Sequence, residues 1–566
     1  MTNGLSRFMN YLASGRSQIF EKDHLLIIGW HGRMHSIVEE LIRSEERVIS
    51  RLGRSGLPAI VILTNEYRPE LLVNLRQKLP EDIRGEARIL VRSGNPLEAE
   101  SLERVDFTRA SAIILTSQVG AGTPRHFSDM TLVKTLMMLR AGAGEVPPED
   151  LPNVVLDIAV SANKLLAESV GWHRTEAIAS AEFMSRLLCQ SIRHPGLSSV
   201  YLHLLTDTFG DSAFLVSADE LGIEGQTLGE VVHAFERAIP IGFLKSLDSP
   251  FTKEERLRLL AFDEPVEAGD ELVCVAPSLR AIEESFDAER PARLTRQLGA
   301  LPPGEHALDT DRPVGPNPRR ILLVGWSPFV RPLLDEFATY ERESFEVTIV
   351  TEKPVNEVTG KLNSLDERHG NLELSVVRSA LNTVDEVREI RAERFDNIAL
   401  VSPEIFEDPL LADAETVMAF VLLDRYLRQT APQREIAFLA ELNDEDNQPL
   451  LRLNRPADVL ITAEIVSHLL SQIAVRRSLA WVYEELFTHG GVEIDFRPFE
   501  DIVDLAQHPL LDFNRCQQAC LQGGRIAIGY SFAAPRGPFS TGVHLNPERD
   551  VKIEPRHGDQ LVVVEV

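Results

Sequence analysis

The sequence has few cysteines and no long run of apolar residues. Its four cysteines, Cys189, Cys274, Cys516 and Cys520, are too sparse for a disulfide framework in a chain of 566 residues. We therefore expect a reducing, cytoplasmic location. No apolar run approaches the ~20 residues that a membrane helix requires, so the sequence predicts no direct membrane span.

The sequence also has fewer positively charged than negatively charged residues. The chain carries 58 lysines and arginines against 86 aspartates and glutamates, which gives a formal net charge of −28. Binding to a phosphate backbone needs clustered positive charge, so we expect no nucleic-acid partner. The same acidic excess raises the concentration of cations near the surface.

The chain repeats itself once. Three landmarks recur in the same order: HLLIIGW at 24–30 as RILLVGW at 320–326, VRS at 91–93 and again at 377–379, and GDELV at 269–273 as GDQLV at 558–562. Matches in a fixed order predict two copies of a unit of roughly 280 residues. We expect the two halves to have the same fold.

Strand-like and helical patterns alternate in the first part of each copy. In the first copy, strands are predicted at 59–64, 87–93 and 111–116, with helices at 35–46 and 70–78. Strands rich in Val, Ile and Leu that alternate with helices indicate a parallel sheet covered on both faces, the α/β class. The tail of each copy is typical of a small α+β lobe built on hairpins, with Gly269-Asp270 as a turn.

The dinucleotide-binding fingerprint Gly-x-Gly-x-x-Gly is incomplete in both copies. The first copy has GWHGRM from Gly29 and the second has GWSPFV from Gly325. Side chains therefore occupy the space of a pyrophosphate, and we do not expect NAD binding. The candidate residues for a ligand or nucleotide pocket at this edge are Gly29, His31, Gly32 and Glu66 in the first copy and Gly325, Ser327 and Glu352 in the second.

An arginine ends the third predicted strand in each copy. These residues, Arg92 and Arg378, lie at the carboxyl edge where parallel sheets bind ligands. One interpretation is contact with an anion or a nucleotide. The other is a salt bridge to a neighbouring helix, because arginine usually pairs structurally. The sequence leaves both interpretations open.

One acidic run follows a predicted strand in the second copy. Its candidate metal ligands are Glu441, Asp444, Glu445 and Asp446. Carboxylates and amides suit a hard divalent cation such as Ca²⁺, although the twelve-residue calcium loop with its central glycine is missing. The alternative is a solvated acidic turn.

The common catalytic motifs are missing as well. Neither a Gly-x-x-x-x-Gly-Lys-Ser/Thr phosphate loop nor a Gly-x-Ser-x-Gly elbow occurs in the sequence. His31 and His35 have the spacing of two metal ligands but lack a third. We therefore predict that the chain is not an enzyme.

Long segments of the sequence are similar to a known family. The segments GRSQIFEKDHLLIIGW, VRSGNPLEAESLERVDFTRASAIILTS, RRILLVGW and DVLITAEIVSHLLSQIAVRRSLAWVYEELF carry the resemblance, which extends over nearly the whole chain. They resemble the cytosolic part of the CASTOR/POLLUX (SYM8-type) ion channels. The resemblance implies two tandem RCK (regulator of potassium conductance) units, each a degenerate Rossmann-like lobe followed by a small C-terminal lobe. It also implies a homotetrameric gating ring.

The repeat, the resemblance and a segment rich in Pro, Gly and charge at 286–319 together divide the chain into six parts. They are a lead-in to the pore (1–23), the first Rossmann-like lobe (24–165), the first crossover and C-terminal lobe (166–285), a linker (286–319), the second Rossmann-like lobe (320–460) and the second crossover and C-terminal lobe (461–566). The family's pore helices do not occur in this sequence. We therefore expect either an excised or naturally pore-less gating region, or a chain whose membrane pore subunit is a separate polypeptide.

The expected function is that of a gating module. It would sense a ligand or a divalent cation and transmit that signal, by a rearrangement of the ring, to a potassium or other cation pore at the membrane. One alternative is a soluble NAD(P)-binding oxidoreductase, and another is a pore-less ligand sensor or scaffold.

Overall fold

The structure is a computed structural model. It describes residues 15–30, 34–52, 57–65, 67–85, 88–116, 125–206, 210–246, 253–298, 317–366, 370–403, 409–451, 457–488, 490–533 and 542–566. Three predicted site residues, His31, Gly32 and Glu66, lie outside these ranges, as do residues 1–14 of the lead-in and 299–316 of the predicted linker.

The first Rossmann-like lobe alternates strand and helix along the chain. Its elements are β1 (His24–Ile28), α1 (Met34–Leu52), β2 (Ile60–Thr64), α2 (Pro69–Lys78), β3 (Ile89–Ser93), α3 (Ala99–Arg104), β4 (Ala110–Leu115), α4 (Arg125–Gly142), β5 (Asn153–Asp157), α5 (Lys164–Val170) and β6 (Thr175–Ile178). The strands form a parallel sheet in the order β3-β2-β1-β4-β5-β6. The strand order reverses beside β1, and this reversal opens a crevice where such sheets bind ligands.

The central strands of this sheet are mostly apolar because helices cover both faces. Every residue of β1 and β2 is buried. On one face, Leu26, Ile113 and Val154 share a core with Leu132 and Leu136 of α4. This is the reason for the continuous hydrophobic runs from which the strands are predicted.

A pair of helices and a small antiparallel lobe follow. Their elements are α6 (Ser180–Arg193), α7 (Leu197–Leu205), β7 (Ser212–Ser217), α8 (Ala218–Leu221), α9 (Leu228–Val231), β8 (Ile239–Leu244), α10 (Lys253–Arg256), β9 (Leu257–Leu259), β10 (Glu271–Ala276) and α11 (Leu279–Ser285). The sheet order is β7-β10-β8-β9. Gly269, with φ +78°, makes the turn before β10, and the buried carboxylate of Asp270 accepts from Lys245 Nζ (3.2 Å).

Part of the predicted linker is helical. Helix α12 (Arg290–Leu298) begins within it, and Arg290 at its start donates to Asn514 Oδ1 (2.9 Å). The Pro, Gly and charge content of the segment did not indicate this helix, because its anchor is a residue far along the chain.

The second repeat has the same architecture. Its elements are β11 (Arg319–Val324), α13 (Val330–Thr339), β12 (Phe345–Thr351), α14 (Val355–Asp366), β13 (Leu372–Arg378), α15 (Val384–Ile390), β14 (Asn397–Leu400), α16 (Pro409–Thr430), β15 (Ala437–Leu442), α17 (Gln448–Leu451), β16 (Asp458–Ile461), α18 (Thr462–Val475), α19 (Leu479–Phe487), β17 (Glu493–Pro498), α20 (Phe499–Ile502), β18 (Leu511–Asp512), α21 (Phe513–Gln522), β19 (Ile526–Ser531), β20 (Val543–Leu545), β21 (Lys552–Ile553) and β22 (Gln560–Glu565). The sheet orders are β13-β12-β11-β14-β15-β16 and β17-β22-β19-β20. Each order repeats that of the first half, so the prediction of one fold in two copies is confirmed.

The two repeats exchange their crossover helices. The chain divides into two compact units, one of Met1–Phe183 with Ala463–Ala480 and the other of Met184–Thr462 with Trp481–Val566. In the first unit, Ser471 Oγ of α18 donates to Ile37 O of α1 (3.3 Å).

The matching contact in the second unit involves the first crossover helix. There, Ser185 Oγ of α6 donates to Phe329 O (2.9 Å), and Asn397 Nδ2 donates to Ile192 O of α6 (2.8 Å). Each Rossmann-like lobe is thus completed by a helix from the other repeat, whereas the predicted domain limits assign each helix to its own repeat.

Among the residues that the structure describes, none of the helices combines the length and the apolar character needed to cross a bilayer.

Candidate functional site

The crevice at the carboxyl edge of the second parallel sheet is almost filled. Its cavity has a volume of about 20 Å³ and is lined in part by Gly325, Trp326, Glu352, Ser379 and Glu415. That volume holds about one or two water molecules. It is far smaller than the roughly 300–1,000 Å³ of typical sites for organic ligands. Gly325 and Glu352, which were predicted separately from the sequence, do meet here.

Gly325 serves the packing of the protein itself. Its φ of +99° favours glycine, and a Cβ atom at this position would overlap the carbonyl oxygen of Val401. Trp326, which follows it, is 5% exposed and helps to fill the crevice. Gly29 holds the equivalent position in the first lobe with φ +121°. Close backbone packing therefore explains the first glycine of the incomplete dinucleotide-binding fingerprint.

Two carboxylates give this crevice a negative character. Burial, followed by the charge of Glu352, raises the pKa of Glu415 above its ordinary value. The pair would repel a phosphate group and attract a cation.

The other two candidates in the second lobe contact the protein. Ser327 is buried, and its Oγ accepts from Phe329 N (3.3 Å). Arg378 is exposed, and its Nε donates to the carbonyl oxygen of Glu352 (3.1 Å). Both contacts order the loops at the mouth of the crevice.

Arg92, the counterpart of Arg378, holds the lead-in segment. Its Nε donates to the carbonyl oxygen of Ser17 (2.7 Å), and the neighbouring Ser93 N donates to Gly15 O (2.9 Å). The guanidinium thus contacts main-chain carbonyl groups of the lead-in and of its own strand. It fixes the lead-in to the carboxyl edge of the first sheet.

A polar groove of about 730 Å³ lies beside this contact. Arg16 and Gln18 of the lead-in line one part of it, and Ser93, Asn95 and Arg104 line another. A molecule bound in the groove would touch the lead-in and the sheet edge together.

The acidic run is divided between two environments. Glu441 is buried, and its carboxylate accepts from Ser402 N (3.1 Å) and Thr462 Oγ1 (2.8 Å). Asp444 accepts from Asp446 N (3.1 Å), while the side chains of Glu445 and Asp446 are exposed. Within the described ranges, no three His, Cys, Asp or Glu side chains are gathered in a way that could hold a metal ion.

Asp413 of α16 holds this acidic loop in place, and this residue was not predicted from the sequence. Its buried carboxylate accepts from Asn443 N (2.8 Å), Asp444 N (2.9 Å) and Asn447 Nδ2 (2.9 Å). The loop is therefore ordered by hydrogen bonds from within the protein.

An identical arrangement exists in the first lobe. Asp129 of α4 accepts from Ala159 N (2.8 Å), Val160 N (3.0 Å) and Asn163 Nδ2 (2.8 Å). Asp413 follows Asp129 by 284 residues (413 − 129), and each partner follows its counterpart by the same interval. This common interval of 284 residues is the feature of the sequence that could have identified Asp413 and Asp129 as equivalent residues. Because the loop of the first lobe is not acidic, the acidic residues are not needed for its shape.

Each Rossmann-like lobe also exposes a set of large apolar side chains. The first apolar face consists of Phe127, Met130, Met137, Leu165 and Leu166, and the second consists of Leu410, Leu411, Met418, Val421 and Leu450. These side chains are between 44% and 77% exposed. Phe127, Met137 and Leu166 precede Leu411, Val421 and Leu450 by the same 284 residues (411 − 127). The two faces therefore share three equivalent positions and are related surfaces of the two lobes.

Comparison with known protein families supports the resemblance over nearly the whole chain. The family model described as "Castor and Pollux, part of voltage-gated ion channel" matches residues 181–289. The chain is 24% identical to "Probable ion channel CASTOR" of Oryza sativa subsp. japonica, over 94% of this chain and 58% of that protein. It is 23% identical to "Ion channel CASTOR" of Lotus japonicus, over 94% of this chain and 61% of that protein. The chain thus spans about six tenths of the length of these relatives.

The fold is similar to that of a solved gating ring. The structure of the human SLO3 gating ring matches with a TM-score of 0.65 and 13% sequence identity, covering 96% of this chain and 98% of that chain. The predicted fold class, two tandem units that each join a Rossmann-like lobe to a small α+β lobe, is confirmed.

Proposed function

We propose that the chain is a regulatory gating module for a potassium or other cation pore, acting at the cytoplasmic face of the membrane. The observation that carries this proposal is the similarity of nearly the whole chain to proteins named as ion channels, on a fold similar to a gating ring. The role is one of binding and conformational change, and we assign it no catalytic step.

The two apolar faces support assembly into a closed ring. Two related apolar faces on a single chain allow the first apolar face of one molecule to pack against the second apolar face of the next. Such a head-to-tail contact closes into a ring when the rotation from one copy to the next brings the last copy back to the first. We propose four copies, or four times 63.2 kDa.

The lead-in supports transmission of a signal from the ring. Residues 15–19 are tied to the edge of the first sheet by Arg92 and by backbone bonds such as Ile19 N to Arg104 O (2.8 Å). A rearrangement of this lobe would therefore move the lead-in with it, and we propose that the lead-in connects to the pore subunit.

We also propose that Ca²⁺ or another divalent cation is a ligand of the chain. The net charge of −28 and the exposed carboxylates of Glu445 and Asp446 support this. Millimolar Ca²⁺ should stabilise the fold by about 1–3 kcal/mol, because a ligand of the folded state adds its binding free energy by mass action. Thermal unfolding with and without Ca²⁺ measures this effect.

A double variant locates the cation. Asp444→Asn with Asp446→Asn should abolish the Ca²⁺-dependent rise in melting temperature, and its melting temperature without Ca²⁺ should stay close to that of the wild type. Asparagine can still cap the short helix that begins after Asp444. An undiminished rise in the double variant would place the cation elsewhere, and the lack of a rise in the wild type would favour a solvated acidic turn.

NADH should bind weakly or not at all. The cavity of about 20 Å³ in the second lobe is too small for a dinucleotide, and the carboxylates of Glu352 and Glu415 would repel its phosphates. Isothermal calorimetry should show no heat of binding at micromolar NADH. A micromolar dissociation constant would contradict this expectation and would favour the oxidoreductase alternative.

Cation flux tests the proposed function in cells. Depleting the chain from its own cells should change the rate of rubidium uptake, and restoring the wild-type chain should restore the rate. Arg92→Gln, which loosens the lead-in, should restore it only partly, whereas Arg388→Gln on the exposed face of α15 serves as a matched control. Uptake that is indifferent to depletion would contradict a role in gating and would favour a pore-less sensor or scaffold.

A further inference from the structure

A buried ion pair joins the crossover helix α18 to the first Rossmann-like lobe. His468 Nδ1 lies 2.8 Å from Glu40 Oε2 of α1, and His468 Nε2 lies 3.3 Å from Glu464 Oε1. Gln472 Nε2 donates to the other oxygen of Glu40 (2.6 Å). Glu40 is 0% exposed and His468 is 3% exposed. With a carboxylate at each ring nitrogen, the imidazole is positioned to donate from both, which requires its protonated form.

The second lobe has the same pair with a different cation. Arg186 of α6 lies 3.9 Å from Glu336 of α13. Glu336 follows Glu40 by 296 residues (336 − 40), the interval between Gly29 and Gly325, and His468 follows Arg186 by 282 (468 − 186), the interval between Gln190 and Gln472. The two pairs therefore hold equivalent places in the two repeats. Arginine stays charged at any physiological pH, whereas histidine can lose its proton.

We propose that the His468–Glu40 pair is a proton-linked latch that holds α18 on the first lobe and releases it as the pH rises, while the Arg186–Glu336 pair holds α6 independently of pH. At this pair of equivalent positions, a titratable proton is thus bound in one repeat only. A change of pH would alter one exchanged helix and leave its counterpart in place.

The charges around His468 give the direction of the effect. Burial opposes its protonation, but Glu40 and then Glu464 raise the pKa of His468 to about 10 from an ordinary value of 6.5. Arg476, the residue after the end of α18, donates from Nη2 to Ser44 Oγ of α1 (3.5 Å). The pKa of His468 is higher when α18 is docked on the first lobe than when it is released. The stabilisation that the ion pair gives to the docked helix is therefore fully present below pH 6.5. It is lost progressively as the pH rises towards 10.

Hydrogen exchange of the full chain tests the latch. Exchange in α18 should be compared between the wild type and His468→Arg, which copies the cation of the other repeat. At each pH the intrinsic chemical rate of amide exchange is the same for both proteins. The ratio of the wild-type exchange rate to the variant exchange rate therefore reports the opening of the helix in the wild type. We expect this ratio to rise about fiftyfold between pH 6.5 and 8.5, as one proton is released on opening.

Two internal controls sharpen the result. The same ratio for α6 should stay constant over this range, and Arg186→His should make the exchange of α6 depend on pH. If His468→Arg does not fold, nuclear magnetic resonance of carbon-13-labelled histidine in the wild type replaces it. The His468 signal should then titrate only above pH 8, and Glu40→Gln should lower its midpoint.

A constant ratio for α18 would overturn the proposal, as would an equal rise in α6. A His468 signal that titrates near pH 6.5 would do the same. None of these outcomes bears on the cation-flux test, so the latch and the gating role can fail separately.

Discussion

Met130→Asp should convert the assembly to single copies of 63.2 kDa in light scattering, under conditions where the wild type forms four. Met130 belongs to the first apolar face and is 62% exposed. If this face packs against the second apolar face of a neighbour, the substitution buries an unpaired carboxylate in each contact. We expect a cost of about 3 kcal/mol per contact, which weakens each contact roughly a hundredfold.

The control for this substitution lies on another surface of the same lobe. Val73 of α2 is 54% exposed, so Val73→Asp adds the same charge at a similar exposure without touching either apolar face. It should leave the assembly intact, and Met418→Asp on the second apolar face should dissociate it as Met130→Asp does. A Met130→Asp chain that still forms four copies would show that the face is not the contact.

Asp413→Ala should lower the free energy of unfolding by about 3–5 kcal/mol, because it leaves buried donors without an acceptor. The carboxylate accepts from two backbone amides and from the side chains of Asn443 and Asn447. Denaturant unfolding, followed by circular dichroism, measures the change. Asp413→Asn keeps one acceptor and should lose about half as much.

An equivalent substitution can be made in the first lobe. Asp129→Ala should cost a similar amount, because Asp129 makes the equivalent bonds there. Asp446→Ala removes an exposed carboxylate from the loop that Asp413 orders and should change the stability by less than about 0.5 kcal/mol. Should Asp446→Ala prove as harmful as Asp413→Ala, the acidic side chains themselves would be what orders the loop.

Much of the fold could be predicted from the sequence because its signals are local. A strand buried on both faces, such as β1 or β2, is mostly apolar, and this pattern is visible in a few residues. The repeat of the landmarks then predicted the second sheet from the first. The prediction that the fingerprint positions are filled by side chains agrees with the burial of Trp326 beside Gly325.

The contacts between distant segments could not be predicted in this way. His468 and Glu40 are 428 positions apart, and nothing in the periodicity of either helix indicates that they meet. The roles of Arg92 and Asp413 likewise depend on which segment the fold brings to them. The carbonyl of Ser17 and the amides at 443 and 444 are backbone groups, which carry no signal in the side-chain pattern.

Electron microscopy of single particles of the purified chain tests the proposed ring. We expect a closed ring of four copies, with the first apolar face of each copy against the second apolar face of the next. A monomer, or a two-fold dimer in which like faces meet, would contradict it.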